Sequence, residues 1–456
     1  MPADLRAPRT VEETGLPFLF LAELIAKVLH QRGQLRLPEL ASHLKLGVSV
    51  IDPLIAFLRA EKLCEVMRIA GSGTDADLCY LLTDSGRQRA AAILARNAYA
   101  GPAPVTLADY AAQVASQSVA GMQVTRERMR AAFDGVVVNP QVLDRLGAAM
   151  NSSRALFLFG LAGSGKTFLA ERLRALLTGV IAVPHALMVD GEAIPVYDKM
   201  RHQPAPGQVT PDLRFDRGNT IDQRWVRGLR RPAALAGGEL TLDMLDLHFD
   251  PNTRLYTAPP HLKANNGIFI IDDLGRQRCA PEALMNRWIV PMDRNIDYLA
   301  LHTGHAFAVP FDVIVVFSSN FVPRQLASGA FLRRLGYKIE VPPASSAEYQ
   351  LLFRQVCAQT GIDFDMGAFE HLLALHRHHQ VPLLACHPRD IVRQLCDLAR
   401  YEARSPVLDC AALDWAWHNH FSTAADTAAD TTPTAGPADA IRSEPACRFH
   451  GVMENV

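Results

Sequence analysis

Gly160-Leu-Ala-Gly-Ser-Gly165-Lys166-Thr167 is the stretch of this sequence whose residue types and spacing most plainly serve chemistry. It follows the pattern G-x-x-x-x-G-K-[ST]. The apolar run Ala155-Leu-Phe-Leu-Phe159 precedes it as a strand would, and 168–177 follows with the periodicity of an amphipathic helix. Gly160, Gly163 and Gly165 let the backbone turn tightly around Ser164 and aim successive N–H groups at a phosphate. The helix start behind them adds partial positive charge. Lys166 is placed to reach β- and γ-phosphates, and Thr167 to ligate Mg²⁺. The chain has 39 Arg but only 7 Lys, so a lysine at this position is less easily accidental.

A second chemical feature is Gly267-Ile-Phe-Ile-Ile271-Asp272-Asp273, an apolar strand ending in two carboxylates. Ligands of parallel sheets gather at the carboxyl ends of the strands. Asp272 is therefore expected to hold Mg²⁺, through water, and Asp273 to orient or deprotonate an attacking water.

With these motifs on one chain, residues 136–420 resemble the AAA+ ATPase superfamily, in the flavour of MoxR-like bacterial ATPases that carry an N-terminal winged-helix domain. Three further motifs match in order. Val313-Ile-Val-Val-Phe-Ser-Ser-Asn320 is similar to the strand that ends in the sensor 1 residue; alone, Asn320 would read as a turn former. Ala330-Phe-Leu-Arg333-Arg334-Leu335 is similar to the arginine-finger segment, and which arginine is the finger stays open. His387-Pro388-Arg389-Asp390-Ile391 looks like the start of the lid helix, with Arg389 as sensor 2. The resemblance implies an α/β/α nucleotide-binding domain with a helical lid, ATP and Mg²⁺ as cofactors, and a homo-oligomeric, hexameric ring acting on a protein client. Related enzymes more often carry Glu where Asp273 stands, and the shorter side chain predicts slow turnover.

The elements that must position these residues divide the chain. Residues 1–15 read as a flexible polar tail, 16–97 as a winged helix-turn-helix-like domain and 98–135 as a linker. Residues 136–345 read as the nucleotide-binding domain, 346–420 as the helical lid and 421–456 as a disordered tail rich in Ala, Thr, Asp and Pro. Asp272 comes 106 positions after Lys166, longer than the family's common arrangement, so 185–262 is expected to be an insertion. Within it, Val189-Asp190-Gly191-Glu192 signals a hairpin. The basic run from Arg224 to Arg231 reads equally as a pore or substrate loop and as a solvated surface.

Composition sets bounds. The chain has 456 residues, enough for two or three cores, with 46 basic and 47 acidic side chains, so no global charge draws it to nucleic acid. Residues 1–100 hold 12 Lys/Arg and 11 Asp/Glu, and the helix expected near 48–61 lacks the Arg, Asn and Gln of base readout. DNA binding by the winged helix, as an ATP-switched regulator, is the weaker reading beside protein docking. A nucleotide-holding scaffold with negligible turnover is the third. The eight cysteines form no C-x-x-C pair, His376–His379 suits a polar helix end better than a metal site, and no run reaches membrane-spanning length. A cytoplasmic protein is expected.

Overall fold

A computed structural model describes residues 5–68, 78–206, 221–326 and 328–421. Its centre is a parallel sheet of five strands: β1 (Leu156–Phe159), β2 (Ala233–Ala236), β3 (Gly267–Ile271), β4 (Val313–Ser319) and β5 (Tyr337–Glu340). They lie in the order β2-β3-β4-β1-β5. β3 and β4 are buried at every residue, which is why they read as unbroken apolar runs rather than alternating ones. Phe157, Phe269, Val315 and Phe317 pack on one face against Trp288 and Phe331. Leu158, Ile270, Ile314 and Val316 pack on the other against Leu146, Leu169 and Leu173. Helices thus cover both faces in a three-layer α/β/α fold. Because the strands run parallel, the loop after β1, the acids after β3 and Asn320 after β4 all emerge at one edge.

The helices Ser346–Thr360, Met366–His378, His387–Tyr401 and Cys410–His420 form a separate C-terminal bundle. Its core is aromatic, with Tyr349, Phe353, Phe369 and Trp417 buried together. Local chemistry sets the ends. Ser345 and Glu348 form a reciprocal capping box at the first helix, and Gly361, at φ +72°, terminates it. At the N-terminus, helices Phe18–Arg32, Leu37–Leu44, Val48–Ala60 and Asp84–Leu94 pack with an antiparallel sheet made of Leu35–Arg36, Leu78–Leu82 and Cys64–Arg68. The hairpin tip expected at 71–75 and, after Phe421, the tail expected at 421–456 lie outside the described residues.

Several stretches differ from the sequence reading. The expected linker 98–135 carries a short strand, Val105–Thr106, and two helices, Leu107–Ser116 and Arg126–Ala132. Thr106 and Thr125 cap these helices, and Tyr110, Val114 and Met129 are buried, so the stretch is folded by its own apolar face. Residues 5–15, expected as a flexible tail, are docked: Val11 and Thr14 are buried, and the Asp222 N–H donates to Leu5 O at 2.9 Å. The expected insertion 185–262 contains β2, an edge strand of the central sheet, so it is not one excursion.

The hairpin within it pairs Ala186–Val189 with Glu192–Pro195. Asp190 and Gly191 both adopt positive φ at its tip, as a two-residue turn requires. The basic run is a strand rather than a loop, with Arg227 and Arg230 exposed on it and the flanking Arg224 and Arg231 buried. This strand, Trp225–Arg230, is paired with Val180–Pro184. Arg224 pairs with Asp222 at 2.8 Å, and Arg231 donates to the carbonyls of Thr178, Gln117 and Asn266. Among the described residues, no single helix is long and apolar enough to cross a membrane.

Candidate functional site

The turn after β1 is shaped by close backbone approach. A side chain on Gly160 would run into Val341 O, and one on Gly163, at φ +80°, would run into Cys386 Sγ. Gly165, at φ +94°, then opens the helix Lys166–Arg172. Lys166 is buried and donates to Gly160 O at 3.1 Å, Leu161 O at 2.8 Å and Asn320 Oδ1 at 2.8 Å. Burial pushes its ammonium below the ordinary lysine value, against the opposing pull of Asp273 and Asp272. Ser164 Oγ is buried with no hydrogen-bond partner among the described residues. A buried, unpaired hydroxyl beside a nest of amides is a donor set that fits an anionic oxygen.

Thr167 Oγ1 donates to Asp272 Oδ2 at 2.8 Å. The other carboxylate oxygen, Asp272 Oδ1, is buried and unpartnered among the described residues. A hydroxyl and a spare carboxylate oxygen are hard donors of the kind Mg²⁺ takes, and that ion needs few protein ligands when phosphates supply the rest. The residues therefore fit the metal expected from the sequence.

Asp273 is exposed, with φ +48°, at the turn leaving β3. That turn is braced: Gln277 donates to Asp272 O and Asp273 O, Leu274 N–H donates to Ser318 O, and Ser319 Oγ donates to Leu274 O at 2.6 Å. The end of β4 thereby holds both the acid turn and Asn320.

A cleft of about 670 Å³ unites these parts. Gly163, Ser164, Gly165, Lys166, Thr167, Asp273, Asn320 and Arg389 line it, with Asp272 behind Thr167 and Gly160 behind Lys166. Volumes of about 300–1,000 Å³ are usual for small-ligand sites. Val136, Val137 and Val138 form an apolar wall suited to a flat ring. The Arg389 side chain is largely exposed and makes only a 3.5 Å contact with Asp390.

Arg333 and Arg334 are not brought into this cleft. They precede β5, and Gly336 N–H donates to Ala155 O at the start of β1, so they sit at the opposite end of the strands from the glycine-rich turn after β1. Arg334 is engaged, with Nε 2.6 Å from Asp293 Oδ2 and Nη1 donating to Ala330 O at 2.7 Å. Arg333 is exposed and has no side-chain partner among the described residues.

Sequence reasoning missed three neighbours. Arg276 lines the cleft just beyond the acid turn. Gln277 braces that turn. Cys386 donates its N–H to Gly163 O at 3.1 Å, joining the helical domain to the phosphate loop. None carries a local signal, since each acts through a fold-dependent contact.

Residues 345–419 match a family described as a domain of unknown function (DUF8689). No curated protein sequence matches the chain. Similar solved structures include NtrX from Brucella abortus in complex with ADP, at 13% identity and a TM-score of 0.36, covering 63% of this chain and 52% of that one. Another is the Thermotoga maritima RuvB Holliday junction branch migration motor, at 12% identity and a TM-score of 0.36, covering 64% of this chain and 73% of that one. The chain thus spans about half the length of the NtrX chain it matches.

Proposed function

We propose that the chain is an AAA+ ATPase of MoxR-like character, binding ATP with Mg²⁺ and hydrolysing it at the subunit interfaces of a homo-oligomeric, hexameric ring. The observation that carries this reading is convergence. Four segments far apart in sequence deliver an amide nest, a buried lysine, a hydroxyl–carboxylate pair, an exposed acid, an amide side chain and an exposed arginine to one cleft. That set is what transfer of a γ-phosphoryl group to water requires.

In this mechanism the amides from Gly160 to Thr167 cradle the β-phosphate, and Lys166 leaves the loop carbonyls for the β- and γ-oxygens. Thr167 and Asp272 would hold Mg²⁺, which would supply charge neutralisation at the phosphates. Asp273 orients the attacking water and accepts its proton. Asn320, released by Lys166, helps place that water, and Arg389 grips the γ-phosphate from the helical lid. The carboxylate of Asp273 reaches one methylene less far than Glu would, which keeps the step slow. With Arg334 paired to Asp293, Arg333 is the cation that reaches a neighbour's γ-phosphate, where it stabilises developing charge.

The output we assign is conformational work on a protein client, with the N-terminal unit, read as winged-helix-like, as a docking module. The outward positions of helix Val48–Ala60 are Val48, Ser49, Asp52, Pro53, Ala56 and Arg59, a face with one cation and one anion that suits a protein better than DNA.

The test is calorimetry of ATP with and without Mg²⁺, together with phosphate release. The unaltered chain is expected to take up ATP in a Mg²⁺-dependent way, Lys166→Ala to lose that uptake, and Asp273→Asn to keep it while releasing no phosphate. Uptake unaffected by Lys166→Ala removes the proposal. Tight uptake without phosphate release by the unaltered chain replaces the ATPase with a nucleotide-held scaffold. Asp273→Asn, holding ATP, is also the variant with which a protein client is captured.

A further inference from the structure

A second cleft, of about 620 Å³, opens at the strand-start end of the sheet, away from the phosphate loop. Arg154, Arg333 and Arg334 line it together with Asp293 and Asp312. Charge accounting within it is uneven. Asp293 is taken by Arg334. Asp312 faces inward, accepting from Ser118 Oγ at 2.7 Å, Val119 N at 2.9 Å and Asn266 Nδ2 at 2.6 Å. Both carboxylates are therefore spent on the fold. Arg154 and Arg333 are exposed, and neither guanidinium has a partner among the described residues. Two unspent cations on one open wall are the complement of a strongly anionic group.

Arg154 is also held in place. Ser153 turns the chain through φ +51°, the Arg154 N–H donates to Ser152 Oγ at 3.2 Å, and the Arg154 stem lies against Gly336. Gly336 in turn is tied to Ala155 O at 2.9 Å, so one hydrogen-bonded corner carries both Arg154 and the segment with Arg333.

We propose that Arg154 is a second cross-subunit catalytic residue, contacting with Arg333 the terminal phosphates of a nucleotide bound by the adjoining copy of this chain. The inference rests on the ATPase reading and extends it to a residue that no motif contains. It has a mechanical corollary. Arg154 stands at the start of β1 and the phosphate loop at its end, separated by a strand of four residues, the first three buried, or about 13 Å. A shift of Arg154 toward a neighbour's nucleotide is passed along a rigid strand to the protomer's own phosphate loop, linking successive sites.

The test is phosphate release by the full chain and by mixed assemblies. Arg154→Ala alone is expected to lower turnover about 10²- to 10³-fold, the order seen when a charge-stabilising donor is removed. ATP affinity and assembled size are expected to stay unchanged. An equal mixture with Lys166→Ala pairs an intact nucleotide site with an intact Arg154 at about a quarter of interfaces, given random assembly of a closed ring. Turnover is expected to recover to that fraction. Loss without recovery on mixing overturns the trans assignment, because a cation serving its own protomer, or an anion held within one chain, gains nothing from a partner. Unchanged turnover by Arg154→Ala in a chain that hydrolyses ATP overturns the inference alone. Absence of hydrolysis by the unaltered chain removes the ATPase reading and this inference with it.

Discussion

Gly163→Ala tests the contact between the phosphate loop and the helical domain. Two costs follow from the geometry. The residue sits at φ +80°, where a side chain meets its own backbone, at about 1–2 kcal/mol. The new methyl group also falls on Cys386 Sγ, 3.5 Å from Cys386 Cβ, and overpacking of that kind costs about 1–3 kcal/mol. The sum is about 2–5 kcal/mol. Cys386→Ala deletes the sulfur and leaves the Cys386 Cβ at 3.5 Å and Leu384 Cδ1 at 3.7 Å, both ordinary contacts. In that background Gly163→Ala should cost the backbone share alone, about 1–2 kcal/mol. The four proteins form a double-mutant cycle, read by urea unfolding midpoints with the same slope, and the expected coupling is about 1–3 kcal/mol. Equal costs of Gly163→Ala in the two backgrounds would refute the reasoning, for the Cys386 thiol would then not rest on the loop.

The remaining predictions concern the helical domain, a buried acid and the arginine pair Arg333 and Arg334. Burial lowers His376 to about 4 and His387 to about 3, so both are neutral in the fold while the unfolded chain protonates near 6.5. Depressed histidines contribute stability that is present above the unfolded value and declines as pH falls below it; from pH 6.5 to 5 each should cost about 2 kcal/mol, readable as an acid-sensitive melting of the domain that His376→Gln with His387→Gln flattens. Burial alone would raise the Asp297 carboxyl, but hydrogen bonds from His261 and Arg287, at 2.7 and 2.6 Å, outweigh it and hold it low. Asp297→Ala leaves Arg287 without that partner and should cost about 3–5 kcal/mol in urea unfolding; a cost under 1 kcal/mol would show the group to be solvated. Arg333→Ala should abolish turnover with ATP binding intact, whereas Arg334→Ala, which frees Asp293, should lower stability first; a reversed pattern would exchange their roles.

Much of the candidate site is local and was legible. A phosphate-binding turn needs glycines, a lysine and a hydroxyl at set spacing, and those needs fall within eight consecutive residues. Asp272, Asp273 and Asn320 were legible for a related reason: buried parallel strands are continuous apolar runs, so the polar residue that ends one stands out. Arg389, predicted by resemblance, lines the same cleft. What failed depended on partners distant in sequence. β2 is Ala-Ala-Leu-Ala, which has no strand signature of its own and becomes one only beside β3. Arg224 and Arg231 looked like surface charge because the carbonyls that bury them lie far off in the chain: Thr14 O and Pro104 O for Arg224, and Thr178 O, Gln117 O and Asn266 O for Arg231.

By itself, then, the sequence determined the chemical groups and the strand ends that carry them, since those obey short-range rules of backbone geometry and burial. Tertiary structure alone decided which guanidiniums are spent and which are unpaired, and that the helical domain's Cys386 rests on the phosphate loop. Charge pairing and close packing are properties of residues made neighbours by the fold: Asp293 is 41 positions from Arg334, and the Cys386 N–H that meets Gly163 O comes from another domain.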